Sequence, residues 1–91
     1  MRKAKKGKDA FWVYLLRCAD ESIYTGMAKD VESRFKRHKA GAGAKYTRMR
    51  GVQEIIYSER HATIGAALKR EAAIKKWPRK RKLALIKKSK S

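Results

Sequence analysis

Ninety-one residues are enough chain for one domain with a modest core and too few for two. Lysine and arginine number 26 against 8 acidic residues, a formal net charge of +18, so the compact chain repels itself and attracts polyanions, nucleic acid first among them. The longest apolar run, FWVYLL, is strand-sized against the roughly 20 residues that span a bilayer, which argues against a membrane partner. A single Cys18 excludes an internal disulfide and a cysteine-based zinc site.

Residues 1–9, MRKAKKGKD, are expected to form a solvated basic arm, disordered when free. They lack the apolar segment of a secretory signal, so the expected location is the cytoplasm, at the nucleoid. Two runs rich in aromatic and β-branched residues follow, FWVYLLRC and IYTGM, separated by the turn-like ADES; they predict a hairpin. Tyr14 and Tyr24 share a face only if Tyr14 pairs with Gly26 and Leu16 with Tyr24, which leaves a loop from Cys18 to Ser22. That register sets Tyr14 opposite a residue without a side chain and implies open space beside its hydroxyl.

Asp30 is a plausible N-cap for a helix whose apolar stripe is Val31 and Phe35 and which ends near Ala40, with Gly41 as the stop. Arg34 and His38 lie one turn apart beside that stripe. From Gly41 to Gly51 no hydrophobic period is visible. Glycines, Lys45, Arg48 and Arg50 suit close approach to phosphates, and Tyr46 suits stacking on a base; the competing reading is a flexible basic connector.

VQEIIYSE predicts a third strand with Val52, Ile55 and Ile56 as its apolar part; His61, in the turn beyond, reads as solvated. Thr63 caps a second helix with Ile64, Ala67, Leu68 and Ile74 as its apolar face. Glu71 lies on that face, where a lone carboxylate must be paired with a cation or bind a metal. Pro78 opens a third helix, packed by Leu83 and Ile86 with Arg79, Lys80, Arg81 and Lys82 in solvent, and a frayed tail at 89–91 follows. The periodicities therefore predict an α/β (α+β) domain over residues 10–88 with elements in the order ββαβαα.

Val13-Tyr14, Tyr24-Thr25-Gly26, Arg34, His38, Lys45-Tyr46-Thr47 and Glu71, in that order, resemble the GIY-YIG nuclease family, and in particular its small stand-alone bacterial members. The resemblance implies that the elements pack as a small, mostly antiparallel three-stranded sheet flanked by about three helices. It also implies a metal-dependent endonuclease acting on DNA, structure- or damage-directed in repair or processing, with RNA as a further possible partner and a monomer as the expected form. It implies that Glu71 binds one divalent cation, Mg²⁺ or else Mn²⁺, and that Arg34 holds a non-bridging phosphate oxygen. It further implies Tyr14 as general base with His38 holding or receiving its proton, Tyr24 positioning water or phosphate, and Gly26 as a structural residue at the site. With a reference pKa of about 10, Tyr14 can act so only if neighbouring positive charge lowers it.

Contacts to nucleic acid are expected from Lys45, Tyr46, Arg48, Arg50, Lys75, Arg79 and Lys80. Many members of the family carry an asparagine after the glutamate helix, and this chain contains none, so Lys75, Arg79 or Lys80 would have to supply that contact. The alternative is a catalytically weak or inactive nucleic-acid-binding module of the same fold; a ribosome-associated structural protein is a third reading that rests on size and charge alone.

Overall fold

The computed structural model describes residues 10–90, so the basic arm at 1–9 and Ser91 lie outside the described residues. Strand β1 (Phe11–Cys18) and strand β2 (Ile23–Ala28) form the antiparallel hairpin in the expected register, Tyr14 opposite Gly26 and Leu16 opposite Tyr24. The loop between them is closed by Cys18 N–H to the Ser22 carbonyl at 2.9 Å. Asp20 accepts from the Ser22 backbone amide at 3.1 Å and from the Ser22 hydroxyl, and Glu21 takes a positive φ of 70° to complete the turn. The serine bonds hold the Asp20 carboxyl down at about 2.

Helix α1 (Val31–Lys39) starts as its sequence predicts, with Asp30 accepting from the Ser33 amide at 3.1 Å, a cap of about 1 kcal/mol. It stops at Ala40, after which Gly41 takes φ 82°. The segment from Gly41 to Gly51, in which the sequence shows no hydrophobic period, contains a further element, helix α2 (Lys45–Arg50). Six residues make fewer than two turns, and only Thr47 among them is buried, so no apolar period exists to betray it. Among the described residues there are therefore four helices.

Strand β3 (Val52–His61) pairs antiparallel with β1 on the side away from β2, giving the sheet order β2-β1-β3. Helix α3 (Ile64–Lys75) is capped by Thr63, which accepts from the Ala66 amide, and helix α4 (Arg79–Lys90) follows Pro78. The fold is α+β, as expected. Among the described residues no helix is long and apolar enough to cross a membrane.

Being central, β1 is buried on both faces, which is why its sequence is a continuous apolar run rather than an alternation. Val13 and Leu15 face α3, packing with Ala67 and Ile74 and with Trp77, Leu85 and Ile86. Tyr14 and Leu16 face α1, packing with Ala28, Tyr24, Val31, Phe35, Val52 and Ile55. Only part of the expected helix faces is used: Ile64, Leu68 and Leu83 are exposed. Leu68 is turned about 100° from Ala67 around the helix, and the stripe that meets the narrow sheet is Ala67, Glu71 and Ile74. On α4 Ile86 packs against the core as expected, but its companion is Leu85 rather than Leu83.

A polar cluster fastens β3 to α3. Glu59 accepts from Arg70 Nε at 2.8 Å, from His61 Nε2 at 2.7 Å and from the Tyr57 hydroxyl. Burial pushes the Glu59 carboxyl up, but donors from Arg70, Tyr57 and His61 outweigh it and hold it low. His61 is thus a partner of Glu59 at the strand end, not a solvated turn residue.

Candidate active site

On the α1 side of the sheet, three rings from two strands and one helix meet. Tyr14, 1 % exposed, reaches His38, 3 % exposed, with its hydroxyl 3.0 Å from Nε2. The Tyr24 ring centroid lies 5.2 Å from that of His38 and 6.4 Å from that of Tyr14. The strand alternation that puts Tyr14 and Tyr24 on one face and the helical repeat that stacks Arg34 on His38 are both properties of the sequence; only the packing of α1 on the sheet brings them together.

Gly26 does not leave open space beside the phenol, as its lack of a side chain suggested. The Tyr14 hydroxyl itself fills it: a Cβ at Gly26 would stand 2.5 Å from that oxygen and 2.9 Å from Tyr24 Cε2. Glycine is required here by the crossing of two phenol rings, not by backbone torsion.

A cleft of about 360 Å³ opens over these groups, lined by Tyr24, Arg34, Arg37, His38 and the backbone of Ala42, Gly43 and Ala44. Arg34 is exposed and lies close enough to Tyr14 to pull its phenol down in pKa. Glu71 enters from α3 on the other layer, its side chain 18 % exposed, with Lys75 Nζ at 3.5 Å. The Glu71 charge also acts on Tyr14, in the raising direction. Tyr24, Arg34 and His38 line the cleft with Tyr14 bonded to His38 behind them, whereas Glu71, on α3, is not among the residues that line it.

The electrostatics correct one expectation. Burial, with Tyr24 adding to it, pushes the Tyr14 phenol up to about 12 against the pull of Arg34, so the hydroxyl keeps its proton at neutral pH. His38 cannot lower it, because burial, then Arg34 and Arg37, push the imidazole below its ordinary range and leave it neutral. The sign of the consequence for stability follows. The unfolded chain binds a proton near pH 6.5 and the folded chain only below that, so the contribution is complete above 6.5 and is lost as pH falls through the folded value. Urea midpoints should therefore fall from pH 7.5 to 5.5 by more in the wild type than in His38→Gln; equal falls would mean that His38 is not held neutral.

Residues expected at a nucleic-acid surface divide into two groups. All seven are exposed, and four of them, Tyr46, Arg50, Lys75 and Arg79, also have a partner within the fold. Arg50 pairs with Asp20 and lies 4.4 Å over the Tyr46 ring, and that ring, 37 % exposed, also meets Tyr24 at 5.8 Å. Arg79 donates to the Glu21 carbonyl, and Lys75 is the ion-pair partner of Glu71.

Three contributors were given no role from the sequence, although Thr47 stands in the Lys45-Tyr46-Thr47 motif. Thr47 Oγ1 lies 2.7 Å from His38 Nδ1, Gly43 packs so tightly on the imidazole that a Cβ would stand 2.7 Å from Cε1, and Arg37 lines the cleft. The segment from Gly41 to Gly51 thus serves chiefly as a clamp over His38. A residue three positions after Ala44 whose hydroxyl can bond back to that carbonyl was the available signal for Thr47.

A divalent cation fits the donor set in one restricted sense. Among the described residues no group of three or more His, Cys, Asp and Glu could cage a metal; a single mostly buried carboxylate suits Mg²⁺, which keeps most of its waters and shares the substrate's phosphate.

The model of the GIY-YIG catalytic domain matches residues 10–84. The chain is 48% identical over 79 residues to a UPF0213 protein of Staphylococcus aureus (strain Mu3 / ATCC 700698), an alignment that covers 87% of this chain and 96% of that one. Among solved structures, the solution NMR structure of protein EF2693 from E. faecalis is 40% identical, with a TM-score of 0.60 over 87% of this chain and 84% of that one. The NMR structure of the UPF0213 protein BH0048 from Bacillus halodurans is 37% identical, with a TM-score of 0.56 over 86% and 83%. With the tyrosine hairpin, the Arg34–His38 helix and the Glu71 helix in their places, the chain belongs to the GIY-YIG nuclease family.

Proposed function

We propose that this protein is an endonuclease that hydrolyses phosphodiester bonds of DNA with one divalent cation, Mg²⁺, held by Glu71, and that it recognises backbone and shape rather than sequence, in repair or processing within the cytoplasm. RNA carries the same phosphates and competes for the same surface. The observation that carries the reading is the buried phenol–imidazole pair at 3.0 Å, placed beneath a cleft with an arginine on its rim.

In this reading the phosphate sits against Arg34, whose planar fork donates to a non-bridging oxygen as charge builds in the transition state. Glu71 would hold the divalent cation, which when bound would supply positive charge to offset the negative charge of the reacting phosphate. With its pKa near 12, Tyr14 does not wait as a phenolate. It takes the attacking water's proton as its own passes to His38 Nε2, so the water O–H bond breaks, the new O–P bond forms as the bond from phosphorus to the leaving oxygen breaks, that oxygen takes a proton from solvent water, and no free phenolate accumulates. Tyr24 borders the same cleft and orients water or phosphate. Lys45, Arg48 and Lys80 add backbone contacts, which fix position without reading bases.

The binding-module alternative has one observation in its favour, the Lys75 ammonium 3.5 Å from Glu71, which occupies the carboxylate with an internal cation. A panel of duplex, nicked, flap, junction and single-stranded DNAs separates the two. The expected result is nicking with Mg²⁺ or Mn²⁺ that stops with EDTA, and an uncut panel that is nonetheless bound would establish the module instead. Binding in either case should weaken with salt at a log-log slope of about −0.9 per phosphate neutralised on duplex DNA.

A further inference from the structure

Thr47 is 1 % exposed, and its hydroxyl has two neighbours at hydrogen-bond distance, the Ala44 carbonyl oxygen at 2.9 Å and His38 Nδ1 at 2.7 Å. A carbonyl only accepts, so the one hydroxyl proton goes to Ala44, and toward His38 the threonine oxygen presents a lone pair. Nδ1 must then carry a proton. A neutral imidazole has a single N–H, which leaves Nε2 bare, and the 3.0 Å contact to Tyr14 is filled by the phenol's proton. Every proton in the row Tyr14, His38, Thr47, Ala44 is thereby oriented from the backbone carbonyl outward. In the opposite tautomer His38 would donate to Tyr14, and the phenol could not pass its proton on. Gly43 packs against the same Nδ1 side of the ring, where a Cβ would stand 2.7 Å from Cε1 and 2.8 Å from Cγ, so the imidazole is held closely on the side that Thr47 bonds.

We propose that Thr47 is a positioning residue that holds His38 as its Nδ1–H tautomer and so makes Nε2 the acceptor of the Tyr14 proton. Its part in cleavage rests on the nuclease reading, whereas the placement of the protons does not.

Two measurements on the full chain test this. In long-range ¹H–¹⁵N spectra at pH 7.5 the wild type should show His38 protonated at Nδ1 and bare at Nε2, Thr47→Ser should match it, and Thr47→Val should lose that tautomer while keeping a folded amide spectrum. Wild-type His38 protonated at Nε2, or an unchanged tautomer in Thr47→Val, overturns the proposal. If Thr47→Val does not fold, the wild-type and Thr47→Ser spectra decide alone. In Mg²⁺-dependent nicking, Thr47→Val should lower kcat by about 10- to 100-fold with KM changed by less than about threefold, the scale seen when a partner that fixes a histidine is removed. Thr47→Ser should restore kcat to within about threefold, and losses of equal size in both variants would reduce Thr47 to a packing residue. Should the wild type cut nothing, the nuclease reading fails by itself, and the tautomer still decides the role of Thr47.

Discussion

Arg34→Ala should lower single-turnover nicking by about 10²–10³-fold, the cost of removing one donor aimed at developing charge, while affinity for duplex DNA at moderate salt falls by less than about threefold. The asymmetry follows from numbers: one cation out of 26 is removed, which reduces the salt slope by about one contact, but the cation removed is the one beside the phenol. Glu71→Gln should cause a loss at least as large under Mg²⁺ while leaving the fold intact, since the amide keeps the shape of the side chain without its charge. A second signature distinguishes Arg34 from a general binding residue. Arg34 depresses His38, so in Arg34→Ala the acid limb of the pH–rate profile, set by protonation of the imidazole, should move to higher pH. Arg34→Lys retains the charge but not the two-pronged geometry and should recover only part of the rate. Loss of cleavage in step with loss of binding, and an acid limb that stays in place, would make Arg34 an electrostatic contact of no special kind.

What the sequence made legible was whatever repeats or alternates. The hairpin register followed from requiring two tyrosines on one face, and the caps at Asp30 and Thr63 were readable because a short polar side chain before an apolar period has one physical use. Helix α2 was not legible, because its formation depends on a contact outside itself, Thr47 beneath His38. Glu71 was located on the inward stripe of α3, but the stripe's width was overestimated: Leu68 is apolar and exposed because a three-stranded sheet meets only one line of the helix.

The charge state of Tyr14 illustrates a different limit. Arg34 was visible as a nearby cation, and a cation alone argues for a lowered pKa; burial, which acts the other way and prevails, exists only in the packed core. Likewise Arg50 and Arg79 read as phosphate contacts from composition, yet both turn to the Cys18–Ser22 loop, one to the Asp20 carboxylate and one to the Glu21 carbonyl. Partner choice among cations in a chain of net charge +18 is a tertiary property.

Gly26→Ala should destabilise the fold by about 1–3 kcal/mol, the usual cost of forcing added atoms into a packed site, read as a fall in Tm of roughly 4–8 °C per kcal/mol for a domain of this size. The added Cβ would lie 2.5 Å from the Tyr14 hydroxyl oxygen and 2.6 Å from Cζ, and Tyr14 is walled in by Leu16, Ala28 and the imidazole it bonds. It can yield only by lifting its hydroxyl off His38, so nicking should fall further than stability alone explains. Tyr14→Phe removes the nearest of the three clashing atoms, and the double variant Gly26→Ala/Tyr14→Phe should be destabilised by less than the sum of the single variants, with a coupling of about 0.5–3 kcal/mol. Cζ and Tyr24 Cε2 remain in the way, so recovery should be incomplete. A Gly26→Ala protein within about 0.5 kcal/mol of the wild type, the range of an ordinary surface substitution, would mean that Tyr14 does not occupy the space over Gly26, and the phenol–imidazole pair would then have to be built some other way.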